Sequence, residues 1–262
     1  MLRYLTAGES HGKAIVALID GFPAGLTVDT GPIDVELKRR QGGYGRGGRQ
    51  RIETDTVEIL SGIWQNVTLG SPIALEVINK DYKLERLEDL ERPRPGHADL
   101  AGYYKYGHMD LRDVLERASA RETTARVAAG AIARALLAEL GIEILSHVTH
   151  LGGVEISKEE LPQTFEQLKA RVEENDLRAG GSDKTLDAIR KKIDTARNEG
   201  TTLGGEIEII AVGLPPGLGS YVQWDRKLDG QLAQAVMSVH AVKSVSIGAG
   251  DEAHITPGKD FH

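Results

Sequence analysis

An apolar run that ends in G-x-P-x-G-L occurs twice in this chain. Ala17-Leu18-Ile19-Asp20 leads into Gly21-Phe22-Pro23-Ala24-Gly25-Leu26, and Ile209-Ile210-Ala211-Val212 leads into Gly213-Leu214-Pro215-Pro216-Gly217-Leu218. A short apolar run stopped by glycine and proline reads as a strand entering a tight turn. Each turn is followed by an aspartate and a helix-like stretch, Asp34 to Arg40 first and Asp225 to Ser238 second. A strand-like run then follows each helix, Thr56 to Leu60 or Ser244 to Ile247. The repeated order predicts an internal duplication of a β-α-β unit; chance similarity of two Gly/Pro turns is the alternative. Between the copies, the alanine-rich stretch from Ala125 to Leu140 predicts a helix stopped by Gly141. The charged segment 158–199, with a loop at Gly180-Gly181-Ser182, predicts a solvated peripheral helical insertion.

The chain has 262 residues and is 40% hydrophobic, which suits one large domain or two small ones. We read it as a single α+β domain over 1–262. There is no cysteine, so disulfides and thiolate metal sites are excluded, and no metal site is expected. No apolar stretch approaches the roughly 20 residues of a membrane span. Met1-Leu2-Arg3-Tyr4 runs straight into pattern without a signal peptide, so a cytoplasmic location is expected. A net charge of −7 opposes general affinity for nucleic acid.

A local basic cluster therefore stands out. From Lys38 to Arg51 there are Lys38, Arg39, Arg40, Arg46, Arg49 and Arg51, no acid, and five glycines. Glycine permits close backbone approach, and guanidinium pairs with carboxylates and phosphates in a bidentate way. The loop suits a small polyanion. Its Gly43-Tyr44-Gly45-Arg46-Gly47-Gly48-Arg49 tract also resembles an RGG-type RNA-binding segment, the competing reading, although it has a single tyrosine.

Three further segments carry chemistry. Gly8-Glu9-Ser10-His11-Gly12 sets a histidine between glycines at the start of an apolar run, where imidazole serves as acid or base; a capped turn is the plain alternative. Arg92-Pro93-Arg94-Pro95-Gly96-His97-Ala98-Asp99 places a second histidine on a stiff loop, with pairing to Asp99 as its plain alternative. Glu116-Arg117-Ala118-Ser119-Ala120-Arg121-Glu122-Thr123 has a capping-box spacing at Ser119 and Glu122, ahead of a helix whose N-terminus attracts anions. His108 reads as a loop residue. His147 and His150 differ in strand parity, so they should face opposite sides.

Together these segments resemble chorismate synthase. Gly8 through Pro23 is similar to that family's first signature and Glu116 through Ile132 to its second. Arg39 through Arg49, the Arg94 to Asp99 loop, Gly217-Leu218-Gly219 and Trp224-Asp225-Arg226 also match, in order along the whole chain. Two departures stand out. His240 occupies a position where the family commonly has asparagine. The chain ends at His262 in a loop-like stretch, whereas family members continue into a third signature and further flavin-holding loops.

The resemblance implies a fold of helices layered between antiparallel sheets. It also implies an anti 1,4-elimination of phosphate from 5-enolpyruvylshikimate 3-phosphate, with a proton lost from C6, to give chorismate. The implied cofactor is reduced FMN, with NADPH as a candidate reductant and no net redox change. His11 matches the acid for the leaving phosphate and His97 the histidine near the flavin. Ser10 and Ser119 match proton-relay serines. Arg40, Arg46, Arg94 and Arg121 would meet the substrate's two carboxylates and its phosphate, which carries about −1.5 to −2 charge. Arg117, Ala118, Ser119, His240 and Ala241 match flavin-contacting positions. A homotetramer with a small-molecule substrate, binding neither nucleic acid nor membrane, is implied. A catalytically impaired fragment remains a further reading, because of the missing third signature.

Overall fold

Period-two burial shapes the first sheet. Ile15, Ala17 and Ile19 point inward from one strand and Ile73, Leu75 and Val77 from another, with more exposed residues between them. The computed structural model describes residues 2–48, 52–107 and 110–261. Its strands in this region are β1 (Arg3–Ala7), β2 (Ala14–Asp20), β3 (Glu58–Ser61), a small hairpin of β4 (Ile63–Trp64) and β5 (Val67–Thr68), and β6 (Ile73–Ile78). The main sheet has the order β1-β2-β6-β3 and is antiparallel throughout.

One face of this sheet is covered by helices. α1 (Thr30–Gln41) starts at Asp29, whose carboxylate accepts the Gly31 N–H at 2.8 Å, and ends with Lys38, Arg39 and Arg40 at the negative end of its dipole. α2 (Asp99–Tyr106) and α3 (Leu111–Arg117) pack together, and α4 (Thr123–Glu139) lies against α1, β2 and β6. Ala125, Ala128 and Ile132 of α4 meet Ile33 and Leu37 of α1 and the inward residues of the sheet in one core. The predicted glycine stop is present: Gly141 has φ 71°, its N–H bonds the Ala138 carbonyl, and the Ile142 N–H bonds that of Leu137. That pairing is the Schellman closure.

The second sheet joins β7 (Glu143–Leu151), β8 (Val154–Glu155) and β9 (Gly205–Val212), antiparallel in the order β8-β7-β9. α4 contacts β7 as well as the first sheet, which makes it a helical layer between two antiparallel sheets. The fold is α+β. The segment 158–199 is solvated on one side and buries apolar residues on the other. Within it, α5 (Phe165–Glu174) buries Leu168 and Val172 against Leu145, and α6 (Asp183–Glu199) buries Leu186 and Ile189 with Ile156, Leu177 and Ala179. Amphipathic spacing hides such a face among charges when the segment is read by composition.

Parity misleads at the two strand histidines. The β7–β9 register jumps between Val148 and His150, so His147 lies opposite Glu208 and His150 opposite Glu206. Those glutamates are two apart on one strand, so the bulge brings both histidines to the same face. Their Nε2 and Nδ1 atoms lie 2.8 and 3.5 Å from Glu208 and Glu206, as cross-strand pairs.

Of the proposed duplication, the turns recur closely. Gly21 and Gly213 both have φ 78°, and Gly25 and Gly217 have φ 89° and 93°. Each turn follows a strand and precedes a helix, α1 in one copy and α7 (Leu228–Met237) in the other. The closing strands differ: Glu58–Ser61 pairs with β6, but Ser244 to Ile247 has no strand pairing, so the second copy is not a complete β-α-β unit. Apolar residues alone do not form a strand without a partner edge. The chain divides into two compact units, Met1–Gly213 and Leu214–His262, and no described residue of the latter is buried. Among the described residues no helix is long and apolar enough to cross a membrane.

Leu37 is fully buried between α1 and α4. Leu37→Ala should therefore lower the unfolding free energy by about 2–5 kcal/mol, measured by urea denaturation.

Candidate active site

The turn that carries His11 cannot be built from ordinary residues. Gly8 has φ +106°, and a Cβ there would lie 2.3 Å from the Ala14 carbonyl oxygen. The chain therefore doubles back tightly between β1 and β2, leaving residues 9–12 as a loop over α3. Ser10 donates its backbone N–H to the Glu116 carbonyl at 2.9 Å, and His11 donates its own to Glu116 Oε2 at 2.8 Å. The imidazole Nδ1 lies 3.0 and 2.9 Å from the two Glu116 carboxylate oxygens, while Nε2 faces Asp81 Oδ2 at 3.6 Å. The His11 side chain is 20% exposed and that of Glu116 is 1% exposed.

Beside it, Ser119 Oγ donates to the buried Ser10 Oγ at 3.1 Å. Ser119 is a cap, as expected, although of a 3₁₀ turn over Ala120–Glu122, where it accepts the Arg121 N–H. Glu122 accepts from Thr6 Oγ1 at 2.7 Å and from Arg126 Nε, linking α4 to β1. Arg40 reaches this turn from α1, donating to Thr123 Oγ1 at 2.9 Å and to the Ala120 carbonyl at 3.1 Å. Arg117 is exposed, and its guanidinium is fixed by Thr6 and the Gly8 carbonyl.

Arg121, expected as a substrate ligand, sits beneath the site. It is 6% exposed, donating from Nε to Asn79 Oδ1 and from Nη1 to Asp55 Oδ2, each at 2.8 Å. Neither Asp55 nor Asn79 was expected at the site, and nor were Glu53, Asp81 or Glu116. Glu116 lies inside the family-like segment, but only its contacts single it out. The others lie on connections without motif character.

Arg94 and His97 form a cluster of their own. Arg94 donates its backbone N–H and Nε to Asp99 Oδ2 at 3.0 and 2.9 Å, and His97 Nδ1 lies 2.7 Å from Oδ1. The plain alternative, a loop histidine paired with Asp99, describes this contact. Arg46 donates to the Gly42 carbonyl in a loop docked on α6: Tyr44 OH bonds Asp194 at 2.8 Å, and a Cβ on Gly45 would meet Ile193 at 2.6 Å. The Tyr44 ring also faces the Arg190 guanidinium, 5.9 Å away, so it is used within the fold. Arg49, Arg51 and His108 lie outside the described residues. His240 and Ala241 belong to the second compact unit, where Ala241 has the strained φ of 69°.

The hydrogen bond from the Arg94 side chain, aided by the Arg94 N–H and His97, holds the Asp99 carboxyl well below the usual carboxylate range, against burial. A carboxyl whose folded pKa is depressed stabilises fully above its unfolded value and loses that contribution as pH falls through the folded one. Asp99→Asn should therefore destabilise most at neutral pH. Its deficit against the parent should shrink below about pH 4, in urea melts across the acid range. Removing Arg121 leaves Asp55 charged and buried, so Arg121→Ala should cost about 3–5 kcal/mol in the same assay.

The chorismate synthase family model matches residues 2–262. A chorismate synthase from Desulforudis audaxviator is 52% identical, covering 99% of this chain and 69% of its own length. One from Thermoanaerobacter pseudethanolicus is 51% identical, covering 100% and 67%. A crystal structure of a chorismate synthase superimposes with a TM-score of 0.85 at 43% identity, covering all of this chain and 73% of that one. The match runs through the His11 turn, the Ser119 turn and both sheets alike, and the chain belongs to the chorismate synthase family.

Proposed function

We propose that this chain carries out the family's reaction, the 1,4-elimination of phosphate from 5-enolpyruvylshikimate 3-phosphate, with His11 as the acid for the leaving group. One observation carries the reading: a part-exposed imidazole is locked beside a serine pair and the Arg40-bound turn, on a surface assembled from four separate chain segments. A phosphate monoester leaves more easily when protonated, and a fixed imidazole supplies a proton near neutral pH. Arg40 supplies positive charge at the Ala120 turn. Arg46 and Arg94, on the exposed surface of their loops, are proposed to meet the substrate's remaining anionic groups. Ser10 and Ser119 form a hydroxyl pair suited to passing a proton.

The residues also fit an anionic, planar cofactor. Arg117 is exposed with its guanidinium held from behind by Thr6 and Gly8, so a cation of fixed orientation borders the His11 turn. Arg117, Ala118 and Ser119 are proposed to hold reduced FMN, and NADPH is a proposed source of its electrons. When bound, reduced FMN would supply electron density for C–O cleavage with no net redox change, held by the residues of the Ser119 turn. His97, oriented by Asp99, is proposed to stand near it. A cytoplasmic homotetramer belongs to the same reading. RNA binding is not favoured, because Tyr44 and Gly45 of the basic loop are engaged with α6.

Anaerobic release of inorganic phosphate from 5-enolpyruvylshikimate 3-phosphate, with dithionite-reduced FMN, tests the proposal. His11→Ala should slow release by roughly 10²–10⁴-fold with little change in flavin affinity. Unchanged release by that variant would remove His11 from the chemistry.

A further inference from the structure

Glu116 is almost wholly buried, and its carboxylate bonds to both the main chain and the ring of His11. Oε2 accepts the His11 backbone N–H at 2.8 Å, and both oxygens lie within 3.0 Å of the same residue's Nδ1. Arg112 Nη1 lies 3.7 Å from Oε1. A carboxylate accepts hydrogen bonds and does not donate them. A ring nitrogen at this distance from both oxygens therefore carries a proton. In the neutral ring, the bare nitrogen is then Nε2, the one directed toward Asp81.

We propose that Glu116 is the positioning residue of His11, holding its ring in the Nδ1–H tautomer so that Nε2 is the nitrogen that gives up and recovers the proton. The inference rests on the reading of His11 as the acid. In the step, the C–O bond breaks and its electron pair leaves with the phosphate oxygen. That oxygen takes the Nε2 proton of the imidazolium. The ring is left neutral, with its remaining proton still directed at Glu116. Without the carboxylate a ring flip or the other tautomer becomes available, and the nitrogen nearest the leaving group no longer cycles its proton. The backbone bond to the His11 N–H adds a second constraint, because ring and main chain are referred to the same buried group.

The test joins tautomer to rate. Histidine-labelled ¹⁵N NMR of the full chain, with His11→Asn to assign the signals, should show neutral His11 as the Nδ1–H form. Glu116→Gln, whose amide can also donate, should introduce the Nε2–H form, and Glu116→Asp should restore part of the parent pattern. Phosphate release by Glu116→Gln should fall between about tenfold and about 10⁴-fold, the latter being the loss from a wrong imidazole tautomer in a hydrolytic triad. The KM for substrate should hold, and thermal melts should confirm that the variants fold. A parent His11 in the Nε2–H form overturns the proposal, as does a Glu116→Gln protein with altered tautomer and unchanged release. Unchanged release by His11→Ala, with the expected parent tautomer, instead defeats the assignment of His11 as the acid.

Discussion

The guanidinium of Arg121 is the point on which the site depends. It is buried and bonds to Asn79 and Asp55, two residues on different connections. The Asn79 amide then donates to the carbonyls of Gly12 and Glu9, which closes the far side of the His11 turn. Asp55 lies 3.7 Å from Arg40 and donates its backbone N–H to Gln41, tying in the end of α1. Glu53, 3.9 Å from the same guanidinium, accepts the N–H groups of Lys80 and Asp81 and so sets the carboxylate that faces His11. A charge taken out of water must be met by partners, and here the partners are the pieces of the site.

This arrangement separates two uses of arginine that look alike in sequence. Arg121 holds loops together from below, whereas Arg40 is anchored on the Ala120 turn and the exposed Arg117 on Thr6 and Gly8. Anchoring limits the rotamer entropy lost when an anion binds. The serine pair and the His11 ring follow the same pattern, since Ser10 and His11 both take their backbone bonds from Glu116.

The Arg94, His97 and Asp99 cluster works differently. Its order comes from within one loop and the first turn of α2, with Asp99 fully buried as the common acceptor. Local closure of this kind makes the loop a rigid unit that does not draw on the Arg121 network. The two histidines are thus supported by two independent carboxylates, one local in sequence and one more than a hundred residues away.

Much of the frame was legible beforehand, because its signals are local. Gly141 stops α4 through its left-handed φ, the G-x-P-x-G-L turns recur with matching dihedrals, and the spacing of apolar residues from Ala14 to Ile19 makes a half-buried strand. The family-like motifs also marked His11, Ser10 and Ser119, which the structure brings together. Other features were decided by long-range pairing. A bulge in β7 reversed the parity of His150, and Ser244 to Ile247 found no edge to pair with. Glu122 reached Thr6 on a distant strand. Glu116, Asp55, Asn79 and Asp81 carry no motif of their own. Their meaning comes from burial beside a charge or a ring supplied by a distant segment, and the cost of burying such groups unpaired is what selects those partners.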